Sequence, residues 1–189
     1  ERRSAPATAT PSGSPTYTTV ASWGKALTLA AVGPQYLTLT GLTELGSGAF
    51  SVSWRFKAAS FPAAENYMFA FKSNNDAVSG LQVCVTSAGK IQFSVSVDGV
   101  SSTWGIEPGT TISTGVWYQG LLMRSGDDFT LYVDGTSRAT ATLAGTINAA
   151  ADASYIGRRH YVANPSYWDG QLDEFKVRVG AGQVTSVPT

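Results

Sequence analysis

The residues best suited to chemistry form an aromatic and polar loop near the end of the chain. This loop reads Arg159-His160-Tyr161-Val162-Ala163-Asn164-Pro165-Ser166-Tyr167-Trp168, and Trp104 is a second exposed-loop candidate. Aromatic rings stack on the apolar faces of sugars, while Asn and Arg side chains hydrogen bond to hydroxyl groups. The same residue types are enriched in protein interfaces, so an interface role or local packing stays open. The predicted ligand-binding residues are Trp104, Arg159, His160, Tyr161, Asn164 and Tyr167, whereas Trp168 is also a candidate core anchor.

The carboxylates argue against catalysis. Hydrolysis of a glycosidic bond needs two carboxyl groups about 5–5.5 Å apart for retention, or roughly 6.5–9.5 Å apart for inversion. None of the five glutamates has an acidic residue two positions away, and no two fall on one predicted strand: Glu1, Glu44, Glu65, Glu107 and Glu174. The single histidine, His160, lies in a loop, and no G-x-S-x-G nucleophile elbow occurs. The sequence therefore predicts a protein that is not an enzyme.

Composition excludes several classes of partner. The 189 residues suit one domain, and 13 basic residues balance 13 acidic ones to a formal net charge of +0. Without a basic stripe the chain is not expected to bind nucleic acid, and no apolar stretch approaches the ~18 residues of a membrane span. The only cysteine, Cys84, excludes an internal disulfide and is expected to be a small strand residue. The low charged fraction, 14%, is typical of extracellular or assembly-bound β proteins.

Side chains alternate with a period of two from Lys25 onward, which predicts antiparallel strands. One face carries Phe50, Val52, Trp54 and Phe56, and the same pattern recurs at Ile91, Phe93 and Val95 and at Phe129, Leu131 and Val133. The segment from Val116 to Met123 is apolar in both phases and indicates a central strand. About twelve strands of this kind, separated by turn residues, predict a β-sandwich.

Local signals make two finer predictions. Asp98-Gly99 and Asp134-Gly135 each suit a two-residue type I′ hairpin turn, which needs a positive φ at both positions. Asp173 shares the phase of Phe175, Val177 and Val179, so it is expected to point toward the core. There its carboxylate would accept hydrogen bonds from loop amides rather than bind a ligand.

Residues 1–16 differ in composition from the remainder. They contain three prolines and no large apolar residue before position 17, which predicts an extended arm or linker. The predicted division is an arm over 1–16 and a folded domain over 17–189. An ordered arm would need a docking surface on this domain or on a neighbour.

An ordered set of short motifs resembles the LamG-like, concanavalin A-like lectin/glucanase superfamily over roughly residues 20–180. The motifs that carry the resemblance are Gly24-Lys25-Ala26-Leu27-Thr28-Leu29, Gln35-Tyr36-Leu37-Thr38-Leu39, Ala49-Phe50-Ser51-Val52-Ser53-Trp54-Arg55-Phe56-Lys57, Trp117-Tyr118, Leu131-Tyr132-Val133-Asp134-Gly135 and Gly170-Gln171-Leu172-Asp173-Glu174-Phe175. The resemblance implies an all-β fold, an antiparallel two-sheet jelly-roll β-sandwich, to which the composition of residues 1–16 adds an extended N-terminal arm. Glycosidases of this fold carry an E-x-D-x-x-E arrangement on one strand, which this chain lacks.

The resemblance also raises Ca²⁺ as a cofactor, because many relatives bind it through loop oxygens. Candidate ligands lie in Ser73-Asn74-Asn75-Asp76, Gly126-Asp127-Asp128 and Asp152. Ca²⁺ needs six to eight oxygens, whereas Asn and Asp are also ordinary turn residues. Plain turns are the favoured interpretation, so no metal ligand and no cofactor is predicted.

These observations lead to one functional prediction with two alternatives. The prediction is a non-catalytic, lectin-like module for carbohydrate binding or adhesion on a secreted, surface or phage protein, with a glycan or neighbouring subunits as partners. The first alternative is a structural or decoration component of a virion or other large assembly, held by its N-terminal arm and able to form a homo-oligomer. The second is a glycoside hydrolase. The predicted location is extracellular, on a cell surface or on a virion.

Overall fold

The computed structural model describes residues 7–21, 24–42, 44–73, 79–107, 109, 111–148, 153–159 and 166–180. Within these ranges the chain forms β-strands and no α-helix. The strands are β1 (Thr8–Ser12), β2 (Thr16–Val20), β3 (Gly24–Leu29), β4 (Tyr36–Thr40), β5 (Phe50–Ala58), β6 (Glu65–Ser73), β7 (Ser79–Thr86), β8 (Ile91–Val95), β9 (Thr103–Ile106), β10 (Tyr118–Ser125), β11 (Asp128–Val133), β12 (Thr136–Thr142), β13 (Ser154–Ile156) and β14 (Gly170–Val179). The described residues accordingly provide no apolar helix of membrane-spanning length.

The strands form two seven-stranded sheets. The front sheet has the order β1-β4-β13-β6-β7-β8-β9, and the back sheet has the order β12-β11-β10-β5-β14-β3-β2. Neighbouring strands are antiparallel throughout both sheets. The predicted antiparallel two-sheet sandwich is confirmed.

The hydrophobic core lies between the sheets. From the back sheet, β5 contributes Phe50, Val52, Trp54 and Phe56, all of them buried as the alternation predicted. The Trp54 indole meets Phe69 of the front sheet edge to face, with ring centroids 5.0 Å apart, and its Nε1 donates to the Met68 sulfur. These contacts fix which face of each sheet is turned away from the core.

The N-terminal segment joins the sandwich at one edge. Strand β1, which lies inside the predicted arm, pairs with β4 through Thr8↔Thr40 to Ser12↔Tyr36. Strand β2 then pairs with β3 of the back sheet. The described part of the arm therefore docks on its own domain, while the boundary at residue 16 stays a prediction.

Two local predictions fail, for identifiable reasons. Gly99 has a positive φ of 72° but Asp98 does not, so this dipeptide is not a type I′ turn. Instead the Asp98 carboxylate accepts the backbone amides of Val100 and Ser101, both at 2.8 Å, within a longer loop between β8 and β9. Asp173 does not point into the core, because a bulge between Asp173 and Lys176 reverses the alternation of β14. Its carboxylate is half-buried and accepts the amide of Glu174 at 2.8 Å.

Candidate functional site

The candidate site lies on the outer face of the front sheet. Directly paired residues of neighbouring strands share a face, and one such row crosses the sheet as Thr38, Tyr155, Ala70, Gln82, Ser94 and Trp104. Phe69, Val83 and Phe93 occupy the opposite face, in the core. The row therefore faces away from the core. Its centre consists of the buried residues Ala70, Gln82 and Ser94, and the Gln82 Nε2 donates to the Ser94 hydroxyl at 2.8 Å.

At one end of this face Arg158 lies among three tyrosines. Its guanidinium carbon is 4.5 Å from the ring centroid of Tyr36, 4.9 Å from that of Tyr155 and 5.7 Å from that of Tyr167. Tyr36 stacks on Tyr167 with centroids 6.2 Å apart and meets Tyr155 edge to face at 5.8 Å. A cation over an aromatic face is attracted by the ring quadrupole, so Arg158 holds the three rings together.

Tyr36 connects these rings to a neighbouring depression. The depression has a volume of about 610 Å³ and lies between the β1–β2 turn and the β3–β4 loop. The pKa of Tyr36 is lowered, mainly by a hydrogen bond with the Ser12 side chain and also by Arg158. Partial burial has the opposite, smaller effect on this pKa. Strand β1 therefore supplies a group that holds the Tyr36 hydroxyl.

Arg159 forms a second arrangement beside the first. Its Nη1 donates to the Tyr67 hydroxyl at 2.8 Å and lies 3.4 Å from Oε2 of Glu65. The Tyr67 hydroxyl also hydrogen bonds to Glu65, and Gln92 Nε2 donates to the other carboxylate oxygen at 3.3 Å. Burial is the largest cause that raises the pKa of Tyr67, so this phenol stays protonated. The arrangement keeps Arg159 at a fixed place on the face.

We name these residues the tyrosine–arginine cluster: Tyr36, Tyr67, Tyr155, Tyr167, Arg158 and Arg159. The structure thus brings two predicted residues, Arg159 and Tyr167, into one cluster. Four members were not predicted from the sequence. The alternation of β4 could have identified Tyr36. Leu37 and Leu39 lie on the core face of this strand, so Tyr36 lies on the opposite, outer face.

The remaining predicted residues have different positions. Trp104 shares the outer face but lies in the edge strand β9, three strands from Tyr67 and therefore roughly 14 Å away. It is 36% exposed, and Ile106 beside it is 58% exposed. His160, Tyr161 and Asn164 lie outside the described residues. Trp168 is fully buried and packs edge to face against Phe56, which confirms the core-anchor interpretation.

The described acidic residues among the candidate Ca²⁺ ligands make local contacts. Among the candidate Ca²⁺ ligands, Asp127 pairs with Arg124 at 3.6 Å, and Asp128 accepts the Thr142 hydroxyl at 2.8 Å. Residues 74–76 and Asp152 lie outside the described ranges. Within those ranges no group of three or more His, Cys, Asp or Glu side chains could hold a metal ion.

Solved structures share this fold. Domain 4 of AbnA, an extracellular arabinanase of family GH43 from Geobacillus stearothermophilus, aligns with a TM-score of 0.67 at 20% identity, over 93% of this chain and 82% of that domain. The binding domain of Paraclostridial Mosquitocidal Protein 1 aligns with a TM-score of 0.65 at 13% identity, over 86% of this chain and 42% of that one. The binding domain of Botulinum Neurotoxin DC aligns with a TM-score of 0.63 at 11% identity, over 90% and 42%. At such identities the likeness concerns the fold alone.

A search of curated protein sequences found no match. A family model described as the concanavalin A-like lectin/glucanases superfamily matches residues 32–181, which is most of the chain. That match covers β4 to β14, which includes strands of both sheets and every member of the tyrosine–arginine cluster. Sequence and architecture agree, and the protein belongs to the concanavalin A-like lectin/glucanases superfamily.

Proposed function

We propose that this protein is a non-catalytic, lectin-like module that binds carbohydrate through the outer face of its front sheet. The observation that carries this proposal is the stacked, half-buried pair Tyr36 and Tyr167, held by Arg158 beside an open depression. Aromatic faces pack against the C–H faces of sugar rings, while guanidinium and hydroxyl groups bond to sugar hydroxyls. Because cation–ring and hydrogen-bond contacts already fix these side chains, little rotamer entropy is lost on binding.

The similar structures support this class of ligand. The arabinanase domain was solved in complex with arabinotriose, and the Botulinum Neurotoxin DC domain in complex with SialylT. The described glutamates lie at separate places, with Glu65 on β6 of the front sheet and Glu174 on β14 of the back sheet. Such a distribution favours binding over hydrolysis. An extracellular or cell-surface location follows from the same function.

Glycan-array screening followed by calorimetry tests the proposal. Tyr167→Ala and Tyr36→Ala should each weaken binding of the best array ligand by about 2 kcal/mol, roughly 30-fold, as for an aromatic hot spot. Tyr17→Ala is the matched control, since this tyrosine is 65% exposed on the edge strand of the back sheet. No binding to any glycan by the wild-type protein, or an equal loss in Tyr17→Ala, would remove the proposal.

The assembly role in a virion or other large particle stays a prediction. It required residues 1–16 to engage a neighbour, whereas Thr8–Ser12 pairs with β4 of the same chain. No described contact therefore favours it over glycan binding. The molecular mass in solution of a variant that lacks residues 1–7 but keeps β1 tests the assembly role. If the wild-type protein is an oligomer and this variant is a monomer, the assembly role would be supported.

A further inference from the structure

The outer face of the back sheet contains a second cleft, separate from the tyrosine–arginine cluster. It has a volume of about 280 Å³ and is lined by residues of three strands, among them Ser53, Arg55, Gln119, Glu174, Lys176 and Arg178. The cleft exists because the short Ser53 pairs with the long side chains of Leu121 on one side and Lys176 on the other. A further space of about 240 Å³ continues past Arg55 and Gln119 to Trp117 and Asp134. Together they reach the size range of small-molecule sites, about 300–1,000 Å³.

The charge of this cleft differs from that of the whole chain. Among the described residues, three cations and one carboxylate line the cleft, and Asp134 lies in the continuing space, although basic and acidic residues are equal in number over the sequence, at 13 each. Glu174 is paired with Arg55, with Nε and Oε2 3.2 Å apart. Lys176 and Arg178 are exposed and form no ion pair with another described residue. They follow the same bulge that places Glu174 at a φ of 48°.

We infer that the back cleft binds a saccharide unit carrying a carboxylate. Lys176 and Arg178 are spaced two residues apart on one strand face, so both ammonium and guanidinium groups can approach one anionic group. Neutral groups lie alongside them, with the Gln119 amide and the Ser53 hydroxyl placed for sugar hydroxyls. Trp117 lines the continuing space, with Lys57 Nζ 5.4 Å from the centroid of its ring. This mixture suits an acidic sugar better than an acidic peptide, which would need charge along the whole cleft.

Calorimetry with galacturonic and glucuronic acid oligosaccharides and their methyl esters tests this inference. The esters keep the sugar rings but lose the negative charge. The acids should bind at least tenfold more tightly than the esters, and the difference should shrink at high salt. Lys176→Ala and Arg178→Ala should each lower the affinity for the acids about tenfold. Glu174→Gln should raise the affinity for the acids, because it removes a negative charge that lines the cleft.

Two controls separate this site from others. Lys90→Ala removes one positive charge at the β7–β8 turn of the front sheet, where its Nζ bonds to the Gly109 carbonyl, and should leave the affinity unchanged. Tyr167→Ala changes only the front face and should leave the preference for acids over esters unchanged, so a failure of the front-face proposal is distinguishable from a failure here. Equal binding of acids and esters, an equal loss in Lys90→Ala, no binding of either acid, or tighter binding of a polyglutamate peptide would each overturn the inference.

Discussion

Replacing the buried Arg124 should cost far more stability than replacing an exposed arginine such as Arg178. Its side chain is fully buried at the end of β10, where its guanidinium donates to three loop carbonyls, of Gly126 at 2.8 Å, Gly46 at 3.1 Å and Gly145 at 2.7 Å. The guanidinium carbon also lies 5.0 Å from the centroid of the Phe129 ring. One arginine therefore ties three connections of the sandwich to a core aromatic residue.

The expected loss can be worked from these contacts. Hydrogen bonds to a charged group contribute about 1.5–3 kcal/mol each, and three at the low end give about 4.5 kcal/mol. The pair with Asp127 adds little, because that carboxylate is 55% exposed. Arg124→Leu should therefore lose about 4.5 kcal/mol, a large part of the 5–15 kcal/mol typical of a domain. Arg124→Lys should lose about half as much, since an ammonium group cannot reach all three carbonyls at once.

Urea unfolding followed by tryptophan fluorescence measures this loss. Arg178→Leu is the matched control, because this arginine is exposed on β14 and should change stability by less than about 0.5 kcal/mol. A loss below about 1 kcal/mol for Arg124→Leu would refute the reasoning. Equal losses of stability in Arg124→Leu and Arg124→Lys would show that the geometry of the guanidinium does not matter.

Three further predictions concern the core, a thiol and a loop. Gly120→Ala should destabilise by about 1–3 kcal/mol in the same assay, because a Cβ there would lie 2.4 Å from the Trp54 indole; an unchanged midpoint would contradict it. Burial raises the pKa of Cys84 from 9.0 to about 12. Between these pH values the thiol ionises in the unfolded chain but not in the folded one, so the stability should be retained below pH 9 and fall as the pH rises toward 12. In Cys84→Ala the free energy of unfolding should fall less steeply with pH in this range, by at most about 1.4 kcal/mol per pH unit. Identical slopes in the variant and the wild-type protein would count against the prediction. The backbone amide of Ser101 is the main cause that lowers the pKa of Asp98 from 3.8 to about 2. As the pH falls from about 4 to about 2, Asp98→Asn should therefore lose less stability than the wild-type protein. Acid titration of both proteins measures this, and parallel curves of stability against pH would disprove it.

Local alternation predicted the strands because each core residue leaves a period-two signal. Trp54 and its neighbours on β5 were assigned to the core on this basis, and Asp134-Gly135 was assigned to a tight turn. Both φ values at that turn are positive, 46° and 78°, as type I′ requires. The resemblance to a known superfamily then supplied the two-layer architecture that periodicity alone leaves open.

The cluster could not be assembled from local signals. Tyr155 meets Ala70 because β13 pairs with β6, and this order of strands is set by long-range pairing. Arg159 was selected for its loop, yet its guanidinium is held by Tyr67 and Glu65, far away in sequence. Asp173 shows the opposite failure, since one bulge inverted a phase that the sequence alone made convincing.

The two consecutive strands β1 and β2 have a practical consequence for handling the protein. They form the outermost strand of the front sheet and of the back sheet on the same side. Removing them would leave the backbone N–H and C=O groups of β4 and β3 unpaired along two neighbouring edges. Shortened versions that begin after Val20 should therefore aggregate by edge-to-edge pairing, whereas those that retain Thr8 onward should stay monodisperse. Pro11 lies in the edge strand β1, a position where a sheet tolerates a proline because an edge strand need not donate every N–H.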